Sequence, residues 1–156
     1  MKTKIQFTCL LFVLLPFFAH AQSIDGEIAM IQSAFGMEKR ALVSNYMNLP
    51  ESSSNAFWSV YQAYEEERQS ISRERIKIIN DYLEKLDNLG EIEADALATR
   101  TLKNDQALAR LHAKYYKRFK KATSSLEAAK FLQIDNYIHS SIRMALQENL
   151  PFIGEK

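Results

Sequence analysis

The chain has 156 residues, 47% hydrophobic and 25% charged, with 20 basic against 19 acidic side chains. That balance describes a single helix-rich folded domain and excludes a disordered chain or a strongly cationic surface for nucleic acid. The one cysteine, Cys9, falls in a segment read as removed. Disulfides, thiolate metal sites and cysteine nucleophiles are therefore excluded from the mature chain.

Residues 1–21 carry a short basic start (Lys2, Lys4), an apolar run of about 14 residues and small residues at Ala19 and Ala21. This is the layout of a secretory signal peptide, with cleavage after Ala21 and a single mature domain over 22–156. The apolar run is short of the ~20 residues a membrane span needs, and no second span follows, so no stable membrane insertion is expected. Cys9 precedes most of the apolar run rather than following it, which argues against a lipoprotein cysteine. Without Lys2 and Lys4 the basic count falls from 20 to 18, a formal charge of −1. The expected location is the periplasm or the exterior.

A first mature helix is predicted over about 25–48, with Ile28, Ile31, Phe35, Leu42, Tyr46 and Leu49 on one face. Gly36 is a point for a local bend, and Leu49-Pro50 ends the helix because the residue before proline leaves helical geometry. Ser52, Ser53, Ser54 and Asn55 are candidate N-caps for the helix that follows.

The centre of the chain reads as a long antiparallel helical hairpin, with arms over about 56–88 and 92–121 hinged at Asn88-Leu89-Gly90. In the first arm Phe57, Tyr61, Tyr64, Arg68, Ile71, Arg75, Ile78, Tyr82 and Leu86 recur at steps of four and three, the ~3.5-residue repeat of a helix lying along another. A second apolar row, Ile76, Ile79, Leu83 and Leu86, is expected to widen the buried stripe near the hinge. The second arm offers Leu97, Thr101, Asp105, Leu108, His112, Tyr115 and Phe119. Folding at Gly90 brings residue i opposite the residue near 180 − i. Tyr61 then meets Phe119, Tyr64 meets Tyr115, Arg68 meets His112, and Arg75 meets Asp105. A guanidinium in a seam needs a carboxylate across from it, so the Arg75–Asp105 match supports the register.

Ser124-x-x-Glu127 is a capping-box pattern opening a last helix over about 126–149, whose inner face is Phe131, Ile134, Ile138, Ile142 and Ala145. Pro151 follows it, and Phe152 and Ile153 are expected to dock on the bundle. The predicted fold is all-α, four helices, two of them much longer than the others.

Sites are weakly signalled. Lys114-Tyr115-Tyr116-Lys117-Arg118-Phe119-Lys120-Lys121 interleaves cations with aromatics, a pattern that binds phosphates. The register places Glu65-Glu66-Glu67 beside it, so the charges are expected to cancel within the molecule. The mature chain has only His112 and His139 for metal, on different helices, and no cofactor is expected. With no nucleophile elbow, phosphate loop or cysteine nucleophile, the chain reads as a non-enzyme. Phe57 and Trp58 are adjacent and diverge by about 100° on a helix, so one of them, or Tyr116, is expected at the surface of a contact patch.

The segments EKRALVSNYMNLPESSSNAFWSVYQAYEEER, KYYKRFKK, AAKFLQIDNYI and LPFIG resemble a group of small exported helical proteins of Gram-negative bacteria without an assigned activity. That group resembles in turn the Spy- and CpxP-like periplasmic proteins, which implies an ATP-independent chaperone or envelope-stress protein. The Leu-Thr-x-x-Gln motif of those proteins is not found here, so the resemblance transfers no functional residue. The expected partners are polypeptide clients, with a homodimer as the working form and Phe57, Trp58, Tyr116, Arg68 and Lys117 as contact residues. The alternatives are a sensory module that binds one partner protein, or a metal-responsive sensor using His112 and His139.

Overall fold

In a computed structural model that describes residues 37–154, the chain forms four α-helices. These are α1 (Lys39–Met47), α2 (Glu51–Lys85), α3 (Glu91–Ala122) and α4 (Ser125–Gln147), with a 3-10 turn (Leu86–Asn88) between α2 and α3. The export segment, the front of the first predicted helix with Ile28, Ile31 and Phe35, and Gly36 lie outside the described residues. No described helix is long and apolar enough to cross a membrane.

α1 stops at Asn48, which takes the left-handed conformation (φ 46°) while its N–H caps the Ser44 carbonyl at 3.1 Å. An amide side chain tolerates that geometry better than most. The following helix begins earlier than the serine run implied. Pro50 is its N-cap, and the Pro50 carbonyl accepts from the N–H groups of Ser53 and Ser54, both at 3.1 Å. The serines are therefore inside the first turns, and Ser53 Oγ lies 3.3 Å from Glu127 Oε1 at the start of α4.

With 35 and 32 residues, α2 and α3 are about 50 Å long at ~1.5 Å per residue and pack antiparallel. The predicted register holds. Arg75 pairs with Asp105, the Tyr64 and Tyr115 rings meet at 5.3 Å, and Lys114 reaches Glu67 at 2.6 Å. At the open end Phe119 meets Phe57 at 5.0 Å and Tyr64 at 6.3 Å, on either side of the expected partner Tyr61. Tyr61 leans instead on Phe131 of α4, at 5.9 Å. The hinge does not depend on glycine for its backbone. Gly90 sits at φ −87° and ψ 172°, open to any residue, and serves as the N-cap of α3.

α4 starts as its capping box requires, with Ser124 Oγ accepting from the Glu127 N–H at 3.1 Å. It packs along α3 and α1 and meets α2 through side chains alone. Its Phe131 is the centre of the core, with ring centroids 4.3 Å from Phe119 and 5.5 Å from both Phe57 and Tyr64. Edge-to-face contacts of this kind add to plain burial.

The buried faces differ from the predicted ones where a third helix intervenes. Leu111 joins the buried stripe of α3, a helix that faces both α2 and α4, and Asn104 joins it by donating its side-chain amide to the Ile71 carbonyl of α2 at 2.8 Å. Val43 and Met47 rather than Tyr46 turn inward from α1, and Ala145 is exposed. The second apolar row near the hinge is not buried as expected: Ile76 and Ile79 are only half-buried and Leu83 is exposed. Phe152 and Ile153, expected to dock on the bundle, stay largely exposed, with Ile153 at the edge of a cleft between the helices. The tail is tied down by its backbone, through the Tyr82 hydroxyl donating to the Pro151 carbonyl at 2.7 Å.

Candidate functional site

Two features stand next to each other in the middle of the bundle: a buried charge cluster and a partly open apolar cleft.

The cluster is built on Asp135, which is fully buried on the inner face of α4. Tyr64 of α2 donates its hydroxyl to Asp135 Oδ2 at 2.5 Å, and His112 Nε2 of α3 lies 3.0 Å from the same oxygen. Lys39 of α1 sits 2.8 Å from Oδ1 as an ion pair, at an angle that falls short of a hydrogen bond. The same ammonium bonds Glu65 Oε1 at 2.7 Å and approaches His139 Nε2 at 3.2 Å. An ammonium only donates, so Nε2 of His139 must be the accepting nitrogen and that imidazole is neutral. A carboxylate only accepts, so His112 presents its Nε2–H to Asp135. Arg68 closes the cluster, bonding Glu65 at 3.3 Å and Ser72 Oγ at 2.7 Å.

Formal charges within it cancel, with Lys39 and Arg68 against Glu65 and Asp135. Burial opposes the charge on Asp135, but the Lys39 ammonium and the His112 hydrogen bond hold its carboxyl well below the usual carboxylate range. Burial, reinforced by Lys39, lowers His139. Burial and the Asp135 charge raise the Tyr64 hydroxyl, which stays protonated. Asp135 Oδ1 has the Lys39 ion pair but no hydrogen bond, and a phenol held neutral is no nucleophile. One carboxylate thereby ties all four helices together. Three histidine, aspartate or glutamate groups in metal-binding arrangement are not found among the described residues. Lys39 itself lies between Glu65, Asp135 and His139, the centre a cation would take.

The cleft has a volume of about 320 Å³ and lies between the hinge-side halves of α2 and α3 and the second half of α4. Ile76, Ile79, Leu97, Ile142 and Leu146 form its apolar walls, and Arg68 and His139 of the charge cluster form one end. It exists because α4 follows α3 and leaves α2, while short isoleucines stand where the other end of the bundle has aromatic rings.

The structure separates the five expected contact residues. Phe57 is fully buried in the aromatic core and Arg68 lies inside the cluster, so neither is at the surface. Phe57 was expected in a patch because its neighbour Trp58 diverges from it. It is Trp58 that turns outward, half-buried, with the Arg40 guanidinium 4.2 Å over its ring. Tyr116 is half-buried against the core and Lys117 is exposed. Near them the basic segment is partly neutralised as expected, by the Lys114–Glu67 pair. Sequence reasoning missed Asp135 and Lys39. Both occupy positions of the apolar stripe, three or four residues from Phe131, Ile138, Leu42 and Val43, and that placement was the available signal.

Comparison with protein-family models, with curated proteins and with solved structures gives no match for this chain.

Proposed function

We propose that this is a non-enzymatic, exported helical binding protein that holds polypeptide segments reversibly, without nucleotide, in the manner of an ATP-independent periplasmic chaperone. The observation behind this reading is the apolar surface at the end of α4 and in the tail, where Met144, Phe152 and Ile153 are 64%, 76% and 65% exposed. Large apolar side chains grouped on a surface mark contact sites more often than chance exposure does. They border the mouth of the cleft, so a client segment laid across the lip finds apolar contact on both sides. The charge cluster supports the same reading by fixing the helices into a scaffold rather than offering a reactive group.

The test is light scattering of several unrelated aggregating clients with the protein at stoichiometric amounts and no ATP. Suppression is expected, and it is expected to weaken in the combined Met144→Ser, Phe152→Ser variant. Absence of suppression across all clients overturns the reading. One tight partner in a pull-down, with no general holding activity, replaces it by a partner-specific regulatory module.

A further inference from the structure

We infer that the cleft is a binding site for a single-chain amphiphile with an anionic head, such as a fatty carboxylate or a lysophospholipid. The inference does not depend on the polypeptide-holding role: it concerns the interior of the cleft, which shares only Ile153 with the exposed apolar surface at its mouth.

Shape and lining are the first ground. A volume of about 320 Å³ is within the range of small-molecule sites, about 300–1,000 Å³. The walls from Arg68 to Tyr82 span 14 residues of one helix, about 21 Å at ~1.5 Å per residue, so the site is a trough rather than a round cavity. Its long sides are isoleucine and leucine with small Ala94 and Ala98, a surface that favours a flexible hydrocarbon chain.

Charge is the second ground. Among the described residues the lining carries three guanidinium groups, of Arg68, Arg75 and Arg143, and the His139 imidazole, but no carboxylate. Arg68 belongs to the balanced cluster with Glu65, Asp135 and Lys39. Arg75 and Arg143 are different, because both converge on the same oxygen of Asp105, from α2 and from α4. Two cations on one carboxylate leave a surplus positive charge at the cleft. Guanidinium groups on facing helices have the geometry to clamp a carboxylate or phosphate. The head would rest between Arg75 and Arg143, and the chain would run past Ile76, Ile79, Leu97 and Leu146 toward Tyr82.

Isothermal titration calorimetry tests this, with the purified protein and probes kept below their micelle concentration. Myristate and myristoyl lysophosphatidylglycerol are the two anionic probes, and their ratio distinguishes a free fatty acid from a lipid source. Tetradecyltrimethylammonium carries the same chain with the opposite charge, and inorganic phosphate carries an anion with no chain. Saturable one-to-one binding of at least one anionic probe is expected, with affinity rising from decanoate to myristate. Neither control should compete. Arg143→Gln, at an exposed position, should weaken binding by about tenfold or more, the loss of one charged hydrogen bond. Arg143→Lys should restore part of it. Ala98→Trp should block the trough while far-UV circular dichroism stays unchanged. Equal binding of the cationic probe, no binding of either anionic probe, or full binding in Ala98→Trp would each overturn the assignment. Client suppression measured in the same Ala98→Trp protein separates this result from the fate of the chaperone reading.

Discussion

The two ends of the hairpin use the same helices to opposite effect. At the open end, Phe57, Tyr61 and Tyr64 of α2 are all buried against Tyr115, Phe119 and Phe131, and α1 covers that end by packing on α4. At the hinge end Ile78 of α2 and Leu97 of α3 are the buried apolar residues of the two arms, Ile76, Ile79 and Ala98 line a cleft, and Leu83, Ile92 and Leu102 are exposed. The seam spacing is equally regular in both halves, so periodicity is not the difference. Side-chain volume is: aromatic rings fill the gap where α4 draws away from α2, and isoleucines do not. The electrostatics divide in the same way. At the open end charges are paired in a buried, neutral cluster, whereas toward the hinge they are partly exposed, Arg75 and Arg143 sharing Asp105 beside the cleft and Arg100 bridging Glu74 and Asp81. One end is a clamp and the other has room for a ligand.

Truncating one residue in each end gives the widest contrast. Phe131→Ala removes the ring that touches four others and should cost about 3–5 kcal/mol. Ile79→Ala, on the cleft wall, should cost less than about 2 kcal/mol, because its side chain is already half-exposed. Urea unfolding followed by circular dichroism measures both, and equal losses would erase the distinction between the ends.

Acid should act on the clamp before it acts on the cleft. The folded state holds His139 and Asp135 below their ordinary values, so at falling pH the unfolded chain takes up protons that the folded chain refuses. Stability is therefore complete above about 6.5, the ordinary histidine value, and declines below it. It declines again below about 4, where unfolded Asp135 protonates. Melting temperature should fall from pH 7 to 5 in the natural protein and stay flatter over that range in His139→Asn. A natural protein whose melting temperature rises on acidification would contradict the arrangement of the cluster.

The hinge itself should be the least sensitive place. A Cβ added at Gly90 meets only the far end of the Glu93 side chain, at 2.8 Å, and the backbone there suits any residue. Gly90→Ala should shift stability by about 0.5 kcal/mol or less, the range of surface substitutions. A loss of several kcal/mol would mean that the two arms depend on glycine after all.

Much of the frame was legible in the residues. The long arms follow from apolar spacing, the capping box at Ser124 from four residues, and the Arg75–Asp105 pair from folding one strip onto the other. Errors came where an element answers to more than one neighbour. α3 buries Leu111 as well as the predicted stripe because it faces α4 as well as α2, and Ile76 and Ile79 are only half-buried because they line the cleft. Asp135 was passed over because an aspartate on a helix reads as solvent-facing unless something is known to meet it. Its partners come from residues as far away as Lys39 and Tyr64 in the chain.

By itself the amino-acid order settles what is local: that a helix ends ahead of Pro50, that Ser124 caps the last one, and that the chain doubles back between Leu86 and Glu91. Those outcomes depend on backbone geometry and on pairs related by one fold-back. Only the packed tertiary structure decides which polar groups are desolvated together and where side chains leave space, since both depend on three or four helices meeting at once. The buried carboxylate and the open trough beside it belong to that second kind.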